Sequence, residues 1–164
     1  MQVVGIDPGT ATTGYGFVEE TDSGELRVID YGVIVTAAKI PPEQRLLQIY
    51  TQLKELLLLH RPQSGAVEKL FFQSNVTTAM SVGQARGVAM LALAEAGVAV
   101  AEYTPMEIKQ AVSGFGGAGK AQVQLMVKAL LSLPDIPRPD DAADALAVAI
   151  CHINSKLPRD AEGL

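Results

Sequence analysis

Residues 3–20, VVGIDPGTATTGYGFVEE, contain two predicted strands joined by a turn. Residues 3–6 are apolar at almost every position, which is typical of a central strand that is buried on both faces. Residues 7–10 have the composition of a turn, and residues 14–20 are predicted as the second strand. The chain therefore begins with a sheet, and one carboxylate, Asp7, directly follows its first apolar strand.

The rest of the chain alternates between further strand and helix patterns. Strands are predicted at 26–36, 64–68 and 98–103, and helices at 43–60, 75–96, from 105 onward, 120–131 and 141–154. Three antiparallel strands followed by alternating β and α elements predict an α/β protein with a mixed five-stranded sheet and helices on both faces. We expect a single domain over residues 1–154 and a flexible tail over residues 155–164.

Composition indicates an ordinary folded protein. Hydrophobic residues make up 48% of the chain and charged residues 19%. No apolar run approaches the roughly 20 residues of a membrane span, so we expect no membrane partner. The apolar start has no basic segment or cleavage site of a signal peptide, and a cytoplasmic protein is expected. Cys151 is the only cysteine and is predicted to lie in the core, which excludes a disulfide framework.

Four carboxylates lie at the ends of apolar segments. Asp7 and Glu68 end predicted strands, and Asp141 and Asp144 open the last helix three residues apart, on one face. Each has an ordinary explanation when taken alone, as a turn former, a solvated strand end or a complement to the helix dipole. Buried ionised carboxylates are costly unless they are paired or bind a metal. Together, at strand ends where α/β sheets bind ligands, they predict a metal site.

The residue types at this predicted site favour a hard divalent cation. Carboxylate oxygens are the ligands of Mg²⁺ and Mn²⁺, and two such ions about 3.5–4 Å apart suit phosphoryl transfer. We expect two Mg²⁺ ions per site, with Mn²⁺ as a plausible substitute. No histidine is close enough in sequence to the acids to demand zinc, and His60 and His152 are expected at the surface or at helix ends.

The formal net charge of −5 argues against a generic nucleic-acid binder, because phosphate binding depends on Lys and Arg. Two divalent cations on the four carboxylates would bring this charge from −5 to −1. A second acidic stretch, between residues 19 and 30, can face away from a polyanion. The charge is therefore a caution about nucleic-acid binding and does not exclude it.

Five short motifs resemble those of the RuvC-type Holliday junction resolvases, in the family's order. They are GIDPGT at 5–10, GYG at 14–16, EKLFF at 68–72, GQARG at 83–87 and DAADAL at 141–146, within a resemblance that covers residues 1–152. The resemblance implies a ribonuclease H-like fold and a homodimer. It also implies Mg²⁺-dependent nicking of opposed strands of four-way junction DNA, leaving 5′-phosphate and 3′-hydroxyl ends. Recombination and repair would be its setting, and branch-migration proteins are candidate partners.

Site residues follow from the same resemblance by motif position. The catalytic and metal-binding acids of the family match Asp7, Glu68, Asp141 and Asp144. Some relatives have His at the position of Asp141, and Asp is equally compatible there.

DNA contacts are also implied. Phe71 matches an aromatic residue placed against bases at the junction centre, with Phe72 as a competitor for that role. Lys109 and Lys120 match lysines near the scissile phosphate, where a cation can neutralise developing charge. Lys69 and Arg86 are further candidates for DNA binding, and we expect all four cations to form a basic rim around the acids.

The sequence leaves rival functions open. The residues DPGT also resemble the phosphate loop of sugar-kinase and actin-like ATPases, although those enzymes need a second domain. The segment from Gly114 to Lys120 nearly spells a P-loop, but Ala121 replaces the required Ser or Thr and a helix is predicted before it. The chain could also be a junction-binding domain without activity, or a ribonuclease H-like nuclease that acts on another substrate such as RNA–DNA hybrids.

Overall fold

The computed structural model describes residues 1–69 and 76–160, and for residues 156–160 it describes the backbone alone. The strands are β1 (Gln2–Asp7), β2 (Thr12–Glu20), β3 (Leu26–Val35), β4 (Ser64–Glu68) and β5 (Ala99–Tyr103). The helices are α1 (Pro42–His60), α2 (Val76–Glu95), α3 (Pro105–Ser113), α4 (Lys120–Leu130) and α5 (Asp140–Asp160).

The five strands form one mixed sheet in the order β3-β2-β1-β4-β5. β1, β2 and β3 pair antiparallel, whereas β4 is parallel to both β1 and β5. One core cluster joins the sheet to α1 and α2, and a second joins its other face to α3, α4 and α5. The predicted fold class, a five-stranded mixed sheet with helices on both faces, is confirmed.

Two details of the structure differ from the expectations. α5 continues through Asp160, beyond the predicted end at Asn154, and within it the Ser155 hydroxyl donates to the carbonyl oxygen of Cys151. His152 was expected near the surface but is only 2% exposed. Its Nδ1 lies 2.8 Å from the Tyr103 hydroxyl and its Nε2 lies 2.9 Å from Ser64 Oγ, so both ring nitrogens have partners inside the core.

His60 and Cys151 lie where the sequence predicted, at a helix end and in the core. His60 is the last residue of α1, with Nε2 2.9 Å from Asp30 Oδ2, and Cys151 is buried. Within residues 1–69 and 76–160, none of the helices combines the length and the apolar character that a bilayer crossing requires.

α5 lies against β1 and β2 at backbone contact distance. A Cβ atom added to Gly5 would lie 2.1 Å from the carbonyl oxygen of Ala145, and one added to Gly14 would lie 1.9 Å from that of Asp141. Both distances are far below van der Waals contact, so only glycine fits at these two positions without moving the helix. The first turns of α5 are thereby held close to the end of β1.

Candidate metal centre and nucleic-acid interface

The two strand acids lie side by side at one edge of the sheet. β1 and β4 are parallel, and Ile6 pairs with Val67, so Asp7 and Glu68 follow on neighbouring strands. Side chains alternate between the faces of a strand, and Val3 on β1 packs in the core cluster of α5. Asp7 is four residues further along and therefore lies on the same face of the sheet as α5.

Asp141 and Asp144 approach from the first turn of α5. One carboxylate oxygen from each of Asp7, Asp141 and Asp144 lies within 4.8 Å of the other two, which makes these three residues a possible metal-ligand group. Glu68 lies beside this group and lines a cavity of about 230 Å³ together with Asp144. Of the four acids that the sequence predicts, the structure thus brings three into ligand distance and places the fourth next to them.

Burial and the neighbouring negative charges raise the pKa of Asp7, Glu68 and Asp144 above the usual carboxyl range. The pKa of Asp7 is raised to about 8, chiefly by burial and then by the negative charges of Asp144, Glu68 and Asp141. Burial also raises the pKa of Glu68, with Asp144 adding to the effect and nearby Lys109 and Lys120 opposing it. A bound cation would relieve this repulsion, as expected of a metal centre.

Two of the four predicted cations lie beside the acids. Lys120, the first residue of α4, has its Nζ 3.3 Å from Asp140 Oδ2 and 3.7 Å from Asp144 Oδ2. Lys109, on α3, lines the same cavity as Glu68 and Asp144. These lysines form a basic side of the site.

The glycine-rich loop before Lys120 follows a helix, as the sequence predicts. α3 begins with a capping box, in which the Thr104 hydroxyl accepts from the backbone N–H of Glu107 and the Glu107 carboxylate accepts from that of Thr104. α3 ends at Ser113, and the next residue, Gly114, caps it with a left-handed φ of 75°. A P-loop would need a strand at this place, so the structure gives the ATP-binding alternative no support here.

Arg86 was expected in the basic rim around the acids, but its guanidinium has a different partner. Its guanidinium forms an ion pair with Glu102 on β5, its side chain is only 20% exposed, and its buried Nε has no partner among the described residues. This pair connects α2 to β5 on the face of the sheet that packs against α1 and α2, whereas Asp7 lies on the face of α5. Lys69 is exposed, and its backbone N–H donates to the carbonyl oxygen of Tyr103. Phe71 and Phe72 lie outside the described residues.

Sequence reasoning did not single out a set of hydroxyl side chains beside Asp141. Thr10, in the β1–β2 turn, has its Oγ1 2.6 Å from Ser81 Oγ on α2. Threonine and serine are common in turns and near helix ends, so their presence carried no specific signal.

Comparison with known proteins identifies the family. The model of the family described as crossover junction endodeoxyribonuclease RuvC matches residues 3–152. The chain belongs to this family. The RuvC of Chloroflexus aurantiacus is 59% identical over 152 residues, which cover 93% of this chain and 92% of that protein. The RuvC of Pelotomaculum thermopropionicum is 55% identical with the same coverage.

Solved structures agree with this family. The RuvC of T. thermophilus in complex with a Holliday junction substrate is 37% identical, with a TM-score of 0.89 and 96% of each chain covered. The yeast mitochondrial Holliday junction resolvase Ydc2, only 13% identical, has a TM-score of 0.64 over 96% of this chain and 82% of its own. That more distant likeness shows a shared fold alone.

Asp7→Asn is expected to stabilise the metal-free protein at pH 8. Folding raises the pKa of Asp7 from 3.8 to about 8, so between these values the folded state keeps a proton that the unfolded state has lost. The free energy of unfolding therefore falls as the pH rises through this window. Asparagine cannot ionise, so it removes the free-energy penalty of a buried carboxylate, which is on the order of a few kcal/mol.

Thermal denaturation in EDTA measures this effect. The variant should melt above the wild type at pH 8, and the difference should shrink toward pH 4. Added Mg²⁺ should raise the melting temperature of the wild type more than that of the variant. Asp22→Asn, on the exposed β2–β3 turn, is the matched control and should show no such pattern. A variant that melts below the wild type at pH 8 in EDTA would contradict the electrostatic account.

Proposed function

We propose that this protein is a structure-selective endonuclease that resolves Holliday junctions by metal-dependent paired nicking of opposed DNA strands. The observation that carries the proposal is the convergence of Asp7, Asp141 and Asp144 beside a cavity lined by Glu68 and two lysines. It occurs in a RuvC-family chain whose T. thermophilus relative is described in complex with a Holliday junction substrate. Junction DNA in the cytoplasm is the proposed setting.

The four acids are proposed as both the catalytic and the metal-binding residues. Their oxygen donors fit Mg²⁺, with Mn²⁺ as a substitute, and two ions per site match the number of carboxylates. Bound ions would supply activation of a water and stabilisation of the leaving oxygen. Asp7, Asp141 and Asp144 would hold the ions, and Glu68 would complete the set from the neighbouring strand.

Lys109 and Lys120 are proposed to neutralise negative charge at the scissile phosphate. Both line the cavity that contains Glu68 and Asp144, so a phosphate at the acids would lie within their reach. Metal binding would also change the contacts of Lys120. Its ion pair with Asp144 would weaken when a metal ion binds that carboxylate. Its ammonium group then becomes available to the DNA.

Metal binding is also proposed to help the acidic chain approach DNA. Two divalent ions would change the formal net charge from −5 to −1. The added positive charge would lie where the DNA backbone must bind. Lys69 and Phe71 are proposed DNA contacts from their motif positions, Phe71 against bases at the junction centre. Arg86 has Glu102 as its partner, which favours a role in fixing α2 to β5 over a direct phosphate contact.

A homodimer through α2 is proposed as the active form. Three large apolar residues are exposed at helical spacing along this helix: Val76 (69% exposed), Met80 (62%) and Leu91 (59%). An exposed apolar stripe of this kind is typical of an interface. A two-fold dimer would present two equivalent sites, as cutting of two opposed strands requires. Branch-migration proteins are proposed as further partners.

A nicking assay on a synthetic four-way junction and a linear duplex of the same sequence tests the function. We expect cutting of the junction in Mg²⁺ or Mn²⁺, none in EDTA, and much weaker cutting of the duplex. Asp7→Asn should still bind the junction but cut it at least about 100-fold more slowly, since it loses a metal ligand. Asp22→Asn should cut at the wild-type rate.

Each rival function predicts a different outcome of this assay. Equal cutting of junction and duplex, or preferred cutting of an RNA–DNA hybrid, would replace junction resolution with another nuclease activity. Tight junction binding with no cutting in either metal would support a non-catalytic binder. Wild-type cutting by Asp7→Asn would overturn the assignment of the acids.

Met80→Glu is expected to dissociate the proposed dimer. It would place a charge in the centre of the apolar stripe of α2, which desolvation at an interface would penalise. Analytical ultracentrifugation at micromolar concentration should show a dimer for the wild type and a monomer for this variant. Leu58→Glu, on the equally exposed surface of α1, is the control and should stay dimeric. A dimeric Met80→Glu would exclude this face.

A further inference from the structure

A second cleft adjoins the acid cluster at Asp141 and shares no lining residue with the cavity that contains the lysines. It has a volume of about 490 Å³ and is formed by the β1–β2 turn and the first turns of α2. Its polar side chains are hydroxyl groups and one of the acids: Thr10, Thr12, Thr77, Thr78, Ser81 and Asp141. No Lys, Arg or His is among the described residues that line it. The cleft therefore differs in chemistry from the cavity that contains Lys109 and Lys120.

Two of the hydroxyl groups that line this cleft, those of Thr10 and Ser81, are hydrogen-bonded to each other. Thr10 Oγ1 lies 3.0 Å from the carbonyl oxygen of Ser81 and 2.6 Å from Ser81 Oγ, and either hydroxyl can be the donor in the shorter contact. Thr10 has one hydroxyl proton, which goes either to the Ser81 carbonyl oxygen, with Ser81 Oγ then donating to Thr10, or to Ser81 Oγ. A ligand oxygen in the cleft favours the second arrangement, because the Ser81 hydroxyl proton is then left to donate to it. Such a group suits an acceptor-rich ligand.

A DNA strand that passes the acid cluster would meet both clefts. Asp144 lines the lysine side, Asp141 lines the hydroxyl side, and their carboxylate oxygens lie within 4.8 Å of each other. Consecutive phosphates of one strand rise by about 3.4 Å along a duplex axis, so the phosphate next to the scissile one is the part of the substrate expected nearest to the adjoining cleft. Serine and threonine hydroxyls are common partners of phosphate oxygens.

Neutral donors have an advantage beside Asp141. A lysine there would pair with the carboxylate and compete with a metal ion, as Lys120 already does at Asp144. Hydroxyl groups can hold a phosphate oxygen without neutralising the acids that the metal needs. They also let a chain of net charge −5 bind the DNA backbone at a place where the described lining residues include no cation.

We propose that the cleft between the β1–β2 turn and α2 binds the DNA phosphate that flanks the scissile one, through the neutral hydroxyls of Ser81 and Thr78. The inference rests on the proposed function, since it assigns a part of the same substrate to this cleft. The lysine side then binds backbone by charge and the hydroxyl side by hydrogen bonds. This asymmetry orients the strand across the acids.

Thr78 offers a matched pair of variants on an exposed helix surface. Thr78→Val keeps the shape and removes the hydroxyl, whereas Thr78→Ser keeps the hydroxyl and removes a methyl group. We expect Thr78→Val and Ser81→Ala to weaken junction binding about tenfold each, and Thr78→Ser to bind within about twofold of the parent. Binding is measured by fluorescence anisotropy with all proteins carrying Asp7→Asn, so that the junction stays uncut.

Two controls separate hydrogen bonding from charge and from general effects. The slope of log affinity against log salt should be unchanged in Thr78→Val, whereas Lys120→Ala should reduce it by about one. Ser23→Ala removes a hydroxyl from a similar pair with Thr21 on the β2–β3 turn and should bind like the parent.

A modified junction tests the identity of the ligand. When the linkage next to the mapped cleavage position is a neutral methylphosphonate, the parent should bind more weakly and Thr78→Val should lose nothing further. Parent-like binding by Thr78→Val, binding by Thr78→Ser as weak as that of Thr78→Val, or a full Thr78→Val loss on the modified junction would each overturn the inference. A parent that does not prefer the junction to a duplex would instead overturn the proposed function.

Discussion

The backbone of α5 packs directly on glycines of β1 and β2, and the candidate site depends on this contact. A side chain at Gly5 or Gly14 would overlap the carbonyl oxygens of Ala145 and Asp141. Because these positions are glycine, the first turn of α5 lies against the end of β1, and its two acids reach Asp7. A helix held at the usual spacing from a sheet would leave the carboxylates too far apart to share a ligand.

This close packing concentrates negative charge in a partly buried place. The raised pKa of Asp7 reflects the free-energy cost of ionising this carboxyl group, which comes from burial and from its three acidic neighbours. Cores on both faces of the sheet hold the acids together in spite of their repulsion. A divalent cation would turn this repulsion into affinity, and the proposed metal-dependent phosphodiester chemistry rests on that property of the cluster.

The fold and the four acids could be predicted because strands and helices leave periodic patterns among residues that are close in sequence. The apolar run of residues 3–6 indicated a central strand, and the spacing of Asp141 and Asp144 indicated one helix face. Contacts between distant segments had no such signal. The pairing of Arg86 with Glu102 joins α2 to β5. The burial of His152 depends on hydroxyl groups from β4 and β5, so the residue type alone suggested a surface position.

The most direct measurement is the Mn²⁺ affinity of Gly14→Ala, determined by electron paramagnetic resonance at pH 8. All four acids remain in this variant, but the new methyl group must displace the first turn of α5 from β2. We predict at least about tenfold weaker Mn²⁺ binding, by analogy with other losses of support around metal ligands. Gly87→Ala, where a Cβ would meet no atom within 4 Å, should bind Mn²⁺ like the wild type. Wild-type affinity in a folded Gly14→Ala protein would contradict the claim that this backbone contact builds the metal centre.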